Sequence, residues 1–241
     1  MVTTSKYTIN HYPVFFAQMK MADLIHANSK NLVVLKRLGI PLGFGEKTVE
    51  EVCQKYSVDE DLLLLICNML INNDLLPEQE QIERCPILQV LHFLTQSHQY
   101  YLQVALPNIH KLLDALANTC SETHGKALNR FFDEYRHEVE KHLAHEDQVV
   151  YPYIKQLLSQ SRKSKFSIQQ FKDKHANIEI KLTDLKNIII KYIPDNNSDR
   201  LRDELLVQLF NFEDDLNRHT LIEEKLLVPT VLLLENSLSS I

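Results

Sequence analysis

Apolar residues recur at helical spacing along most of the chain, and its first part contains three short segments of this kind. One segment starts near Asn28 and ends at Gly39, and a second starts at the capping box TVEE of residues 48–51. A third covers residues 59–72, and the polar, proline-containing stretch that follows is typical of a linker. We therefore predict a small N-terminal helical domain, with its linker, at residues 1–80.

After Pro86 the pattern changes to four long segments with apolar residues at helical spacing. Clusters of helix-breaking residues separate these segments near residues 118–125, 159–167 and 194–198. Four long helices with short connections form an antiparallel up-down-up-down bundle. The sequence thus predicts an all-α protein in which residues 81–241 form a four-helix bundle.

Composition agrees with a helical fold and narrows the range of functions. Only four glycines and no tryptophan occur in 241 residues, which disfavours β-hairpins and glycine-rich phosphate loops. A formal charge of −6 argues against nucleic-acid binding, and the longest apolar run, at residues 226–234, is too short to span a bilayer. The four cysteines lack metal-ligand spacing and indicate free thiols in a reducing compartment. We expect a cytoplasmic protein that binds neither nucleic acid nor membrane.

A repeat with a period of 77 residues is the strongest signal in the sequence. Adding 77 to the positions of His98, His142, Glu146 and Pro152 gives His175, His219, Glu223 and Pro229. An isolated H-x-x-x-E pair is more often a surface pair than a metal site. Recurrence of four positions in register favours a shared role instead, and it predicts that the bundle is a duplicated helix pair.

Helix geometry brings the repeated side chains to one level of the bundle. The two histidines of each repeat are separated by two helical runs of about 20 residues, which rise and return by roughly 30 Å. In each H-x-x-x-E the imidazole and the carboxylate share a helix face. This layer would contain six ligands: His98, His142, Glu146, His175, His219 and Glu223. Such a set predicts a dinuclear metal site in which each ion takes two histidines and both ions share the two glutamates.

The ligand types indicate which metal is preferred. Imidazole with carboxylate suits iron, manganese less often, and zinc gains little from two bridges. We therefore expect a pair of Fe ions in an oxo- or hydroxo-bridged centre, with an open position on each ion for a small ligand. His92, six residues before His98, could line the entrance of the site or hydrogen-bond to one of the ligands.

Four runs around the repeated residues carry a family resemblance: 92–107 (HFLTQSH…LP), 142–152 (HLAHE…YP), 174–175 (KH) and 219–229 (HTLIE…VP). They resemble the hemerythrin-like di-iron domain of the repair-of-iron-centres proteins, over about residues 85–235. The resemblance implies a hemerythrin-like bundle in which Glu146 and Glu223 bridge a non-haem di-iron centre. It also implies a part in restoring iron–sulfur clusters after nitrosative or oxidative stress, with nitric oxide as a ligand of the iron.

The N-terminal part is similar to the small helical domain of the same family through residues 28–40 and 47–53. That family commonly has Cys-Cys-Gly-Gly after its Gly-Ile, whereas this chain has PLGFG at residues 41–45. An activity that needs paired thiols is therefore not implied. Cys53 is a poor substitute, because an apolar helical position disfavours the thiolate.

Two other functions remain open at this stage. The missing cysteine pair favours a hemerythrin-like sensor or store for oxygen, nitric oxide or iron. A di-iron oxidase or peroxidase is weaker, because ferritin-like sites use more than two carboxylates. The expected partners are a small ligand (nitric oxide, oxygen or peroxide) and iron–sulfur client proteins, with a homodimer as a further expectation.

Overall fold

The computed structural model describes residues 8–9, 12–13, 15–72, 74–159, 167–171, 176–193 and 199–239. Helices dominate these residues, which confirms the predicted all-α fold. The only strands in these ranges are β1 (Thr8–Ile9) and β2 (Tyr12–Pro13), a two-residue antiparallel pair in which Thr8 lies opposite Pro13. The chain forms two compact units, Met1–Gln96 with Leu221–Ile241, and Ser97–Thr220.

Among the described residues, the N-terminal part contains five short helices: α1 (Met21–Ala27), α2 (Asn31–Arg37), α3 (Val49–Tyr56), α4 (Glu60–Ile71) and α5 (Gln79–Glu83). The capping box is formed, because the Thr48 hydroxyl accepts from the Glu51 N–H while the Glu51 carboxylate accepts from the Thr48 N–H at 2.8 Å. Asp59 caps α4 by accepting from the Leu62 N–H at 2.9 Å. The predicted starts of α3 and α4 are thus confirmed.

Two of these short helices were not predicted. The segment expected to start near Asn28 is α2, and α1 precedes it, with the buried Asn31 amide donating to the Leu24 carbonyl at 2.8 Å across the turn. Helix α5 lies in the stretch that was expected to be only linker. Both helices are too short for the apolar period to distinguish them from a loop.

The described residues after Arg84 form seven further α-helices: α6 (Ile87–Tyr100), α7 (Leu106–Ala117), α8 (Glu122–His145), α9 (Tyr151–Leu158), α10 (Ala176–Tyr192), α11 (Asp199–Ile222) and α12 (Val228–Ser239). A π-helical turn joins α6 to α7, α8 to α9 and α11 to α12 without a break: Tyr101–Ala105, Glu146–Val150 and Glu223–Leu227. A short 3₁₀ helix spans Ile168–Phe171. The predicted long helices are therefore present, three of them with a π turn inside.

The helices recur with the same period of 77 residues as the sequence motif. Helices α8 and α11 each have 24 residues, and adding 77 to both bounds of α8 gives both bounds of α11. The π turns at Glu146–Val150 and Glu223–Leu227 keep the same offset, and so do the first residues of α9 and α12. The two segments therefore share one backbone plan, as a duplicated helix pair requires.

Helices α7, α8, α10 and α11 bury a common apolar core in the second unit. On α8 the buried side chains follow the helical period: Leu128, Phe132, Tyr135, Val139 and Leu143. Helix α8 packs against both α7 and α10. In the described parts of the chain, no helix combines the length and the apolar character needed to cross a membrane.

Candidate metal centre

Four of the predicted ligands lie together and are almost fully buried. His98 is on α6, Glu146 begins the π turn after α8, His219 is on α11, and Glu223 follows one turn later on the same uninterrupted helical segment. Their exposed fractions are 0 or 1%. One ligand atom from each lies within 4.8 Å of the others. Side chains from distant parts of the sequence thus form one compact group of nitrogen and oxygen donors.

The Glu146 carboxylate contacts two imidazoles, one with each oxygen. Its Oε2 lies 3.1 Å from Nε2 of His98, and its Oε1 lies 2.8 Å from Nε2 of His142. The same His98 nitrogen lies 3.0 Å from Nε2 of His219. A carboxylate that divides its oxygens between two histidines has the arrangement expected of a bridge between two cations.

Both glutamates occupy the first position of a π turn. The turns close with bonds from the Tyr151 N–H to the Glu146 carbonyl and from the Val228 N–H to the Glu223 carbonyl. The second residue after each turn is a proline, Pro152 or Pro229, which lacks an N–H and crowds the carbonyl four residues earlier. The proline thus disfavours a regular α-helical ladder at this point. Single π turns inside α-helices are frequent at functional sites.

His98 is held from its other side by Asp147. The Nδ1 of His98 donates to Oδ1 of Asp147 at 3.0 Å, which leaves Nε2 facing the group of ligands. Burial acts to lower the pKa of His98, but the hydrogen bonds and negative charge of Asp147 and Glu146 outweigh it and raise that pKa to about 9. The group therefore favours positive charge at its centre.

Two tyrosines border the cluster in the second unit. Tyr151 stacks on the His98 ring, with centroids 5.5 Å apart and 17° between the planes, and its hydroxyl lies 3.3 Å from Nε2 of His98. Tyr101 meets the His219 ring edge-on at 5.8 Å, and its hydroxyl donates to the Asp215 carbonyl at 3.1 Å. Both rings are buried and help to exclude water from the histidines.

Three further histidines were considered for the site from the sequence. His142 is close to Glu146, as described, with 8% of its side chain exposed. His175 lies outside the described residues. His92 is exposed on α6.

Sequence reasoning missed Asp147 and assigned no role to Tyr151 or Tyr101. For Asp147 a signal was present, because its counterpart in the repeat, Glu224, is also acidic. Tyr151 has no such signal, since its counterpart is Val228. A periodicity argument that assumes regular α-helix also does not show which side chain a π turn directs toward the site.

The donor set fits a metal cation. Two carboxylates in the interior are costly unless they are paired or coordinate a metal, and here they meet imidazole nitrogens that are themselves metal ligands. Nitrogen and oxygen donors of this kind suit iron, manganese and zinc.

A family comparison agrees with this chemistry. The hemerythrin HHE cation-binding domain matches residues 89–231, which is more than half of the chain and includes all six predicted ligands. The chain therefore belongs to the hemerythrin HHE family and is a metal-binding, hemerythrin-like protein. No curated protein matches it.

Proposed function

We propose that this chain holds a pair of iron ions and takes part in the repair of iron–sulfur clusters damaged by nitrosative or oxidative stress. The observation that carries the proposal is the buried group of two histidines and two glutamates within 4.8 Å of one another. In this proposal four histidines are terminal ligands and two glutamates are bridges: His98, His142, His175, His219, Glu146 and Glu223.

The protein's own side chains would do three things for such a centre. Two carboxylates offset the charge of the cations, and Asp147 holds His98 with Nε2 toward them. Tyr151 and Tyr101 shield the histidines from water. When bound, an iron pair supplies redox chemistry and open positions for a small ligand such as nitric oxide, oxygen or peroxide.

Composition and the family resemblance support the proposed domains, location and partners. We propose an N-terminal helical domain at residues 1–80 and a bundle at residues 81–241. Buried free thiols at Cys53 and Cys67 support a reducing, cytoplasmic location. The net charge of −6 disfavours nucleic acid as a partner. The family resemblance supports iron–sulfur client proteins as partners, and a second copy of this chain is a further candidate.

A second candidate is a sensor or store for nitric oxide, oxygen or iron. Burial raises the pKa of the Cys53 thiol to about 12 and also raises that of Cys67, so neither thiol is prepared for exchange chemistry. Residues 41–45 contain no cysteine. Reversible binding of a ligand without cluster repair needs no reactive thiol. The lack of a reactive thiol at Cys53 and Cys67 therefore favours the second candidate.

Metal analysis with absorption spectroscopy tests the shared part of both candidates. We expect iron in the purified protein, a spectrum that changes on anaerobic addition of nitric oxide, and loss of both in the double variant Glu146→Gln and Glu223→Gln. A matched control changes two exposed acidic residues of α8, Glu134→Gln and Glu140→Gln, and keeps the iron. Zinc alone, or no metal, in the wild type would contradict the proposal.

A repair assay then separates the candidates. A protein whose [4Fe–4S] cluster has been damaged by nitric oxide is incubated with the iron-loaded chain, and recovery of cluster absorbance is followed. Recovery that the double variant cannot support favours repair. Nitric oxide binding without recovery favours the sensor or store.

A further inference from the structure

The two halves of the repeat carry different residues at the buried position that directly follows each π turn. Tyr151 follows the first π turn directly, and its counterpart after the second π turn is Val228. Both residues are 2% exposed. Only the half that carries Glu146 therefore places a hydroxyl group in this position.

The π turn determines where that hydroxyl points. In a regular α-helix, residues five apart lie about 140° apart around the axis, because each residue turns by about 100°. The bond from the Tyr151 N–H to the Glu146 carbonyl closes a wider turn, which brings Tyr151 back over Glu146. Both side chains consequently reach the same histidine.

The contacts of Tyr151 centre on the ligand atom of His98. Its hydroxyl oxygen lies 3.3 Å from Nε2 of His98, and that nitrogen also lies 3.1 Å from Glu146 Oε2 and 3.0 Å from His219 Nε2. A cation held by these groups would occupy the lone pair of Nε2, so this nitrogen could then accept no hydrogen bond. The Tyr151 O–H would be within reach of a small molecule bound beside it.

We propose that the hydroxyl of Tyr151 donates a hydrogen bond to the small ligand held next to His98, and that this bond slows release of the ligand. The inference rests on the proposed function, since it requires an occupied metal centre. It adds an asymmetry that the six ligands do not have: the half with Tyr151 retains an electron-rich diatomic molecule through a hydroxyl group, and the half with Val228 has no hydroxyl at the equivalent position.

Tyr151→Phe removes the hydroxyl and keeps the ring, and Tyr151→Val copies the other half of the repeat. The matched control is Tyr135→Phe, because Tyr135 is also fully buried and its hydroxyl has no hydrogen-bond partner in the described part of the chain. Tyr135 is two helical turns before His142 on α8. Iron content is measured first in all variants, and release is expressed per bound iron; we expect Tyr151→Phe and Tyr135→Phe, which keep their rings, to match the wild-type content.

The probe is nitric oxide, added without oxygen to the reduced, iron-loaded chain. We expect Tyr151→Phe and Tyr151→Val to release it roughly 3- to 10-fold faster, the effect of losing one hydrogen bond, while Tyr135→Phe behaves as wild type. The N–O stretching frequency of the wild type should shift in deuterated water, and this sensitivity should be lost in Tyr151→Phe.

Three results would overturn the inference. Unchanged release and unchanged deuterium sensitivity in Tyr151→Phe would show that the hydroxyl does not contact the ligand. A phenolate-to-iron absorption band that disappears in Tyr151→Phe would show that the oxygen coordinates the metal and donates no hydrogen bond. A wild type that takes up no iron or no nitric oxide would overturn the proposed function, and the inference with it. The first two results instead overturn the inference alone, because they require a wild type that binds both.

Discussion

Asp147 and His98 form a hydrogen-bonded pair, with Nδ1 of the imidazole 3.0 Å from the carboxylate oxygen. The two residues come from different bundle helices, and the carboxylate follows directly after Glu146. One short π turn thus supplies both a predicted ligand and the group that orients a second one. A carboxylate on the far nitrogen of a metal-binding histidine fixes the ring and strengthens it as a donor.

Removing this carboxylate should weaken metal binding without changing the ligand set. We expect Asp147→Ala to reduce the affinity for iron by about 10- to 100-fold, measured by competition with a chelator. Asp133→Ala serves as the control, since Asp133 is an exposed acidic residue of α8 that pairs with Arg136 on the surface. Equal affinities for Asp147→Ala and the wild type would show that Asp147 does not position His98.

His142 gives a direct test of the ligand assignment. Its Nε2 lies 2.8 Å from Oε1 of Glu146. Loss of the His142 side chain would leave the Glu146 carboxylate in contact with one imidazole fewer. We expect His142→Ala to retain less than the wild-type iron content after dialysis. His137→Ala, on an exposed position of the same helix, should retain all of it. A full complement of iron in purified His142→Ala would remove His142 from the ligand set.

The bundle and the repeat could be predicted from sequence because both depend on regular spacing. His98, Glu146 and His219 come together as the level-matching argument requires. The π turns could not be predicted, because one extra residue in a helical turn shifts the phase of the apolar pattern but leaves its period on either side unchanged. Tyr151 was missed for the same reason, since in a regular helix it does not share the face of Glu146. Asp147 was missed although the acidic Glu224 repeats it, because it binds the far side of a histidine and not the cation.

Stability at alkaline pH should depend on Cys53. The thiol is 1% exposed, and burial, with the negative charges of Glu60 and Asp59, raises its pKa from 9.0 to about 12. Between these values the folded chain holds a proton that the unfolded chain has lost. The free energy of unfolding therefore falls as pH rises above about 9, by at most about 1.4 kcal/mol per pH unit for this one group.

Urea unfolding at pH 8.0 and at pH 10.5 measures this effect. We expect a smaller loss of stability between the two pH values in Cys53→Ala than in the wild type. The comparison uses the difference between pH values, so the cavity left by the smaller side chain does not enter it. Cys120→Ala, at a partly exposed position, is the control. An identical pH dependence in all three proteins would show that Cys53 ionises normally in the folded chain.

Gly125 tests how closely α7 and α8 approach. It lies in the first turns of α8, and a Cβ atom built on it would be 2.6 Å from the carbonyl oxygen of Ala117, near the end of α7. Replacing an exposed helical glycine by alanine normally stabilises a helix by about 1 kcal/mol. Here the new methyl group would meet backbone, which cannot rotate away, so we expect Gly125→Ala to lower the free energy of unfolding by about 1–3 kcal/mol.

The neighbouring exposed residue provides the comparison for this effect. Lys126→Ala removes only a surface ion pair with Glu122 and should change stability by less than about 0.5 kcal/mol. Both variants are measured by urea unfolding at one pH, followed by helical circular dichroism. A Gly125→Ala variant as stable as the wild type, or more so, would mean that α7 and α8 can separate by a few tenths of an ångström at little cost.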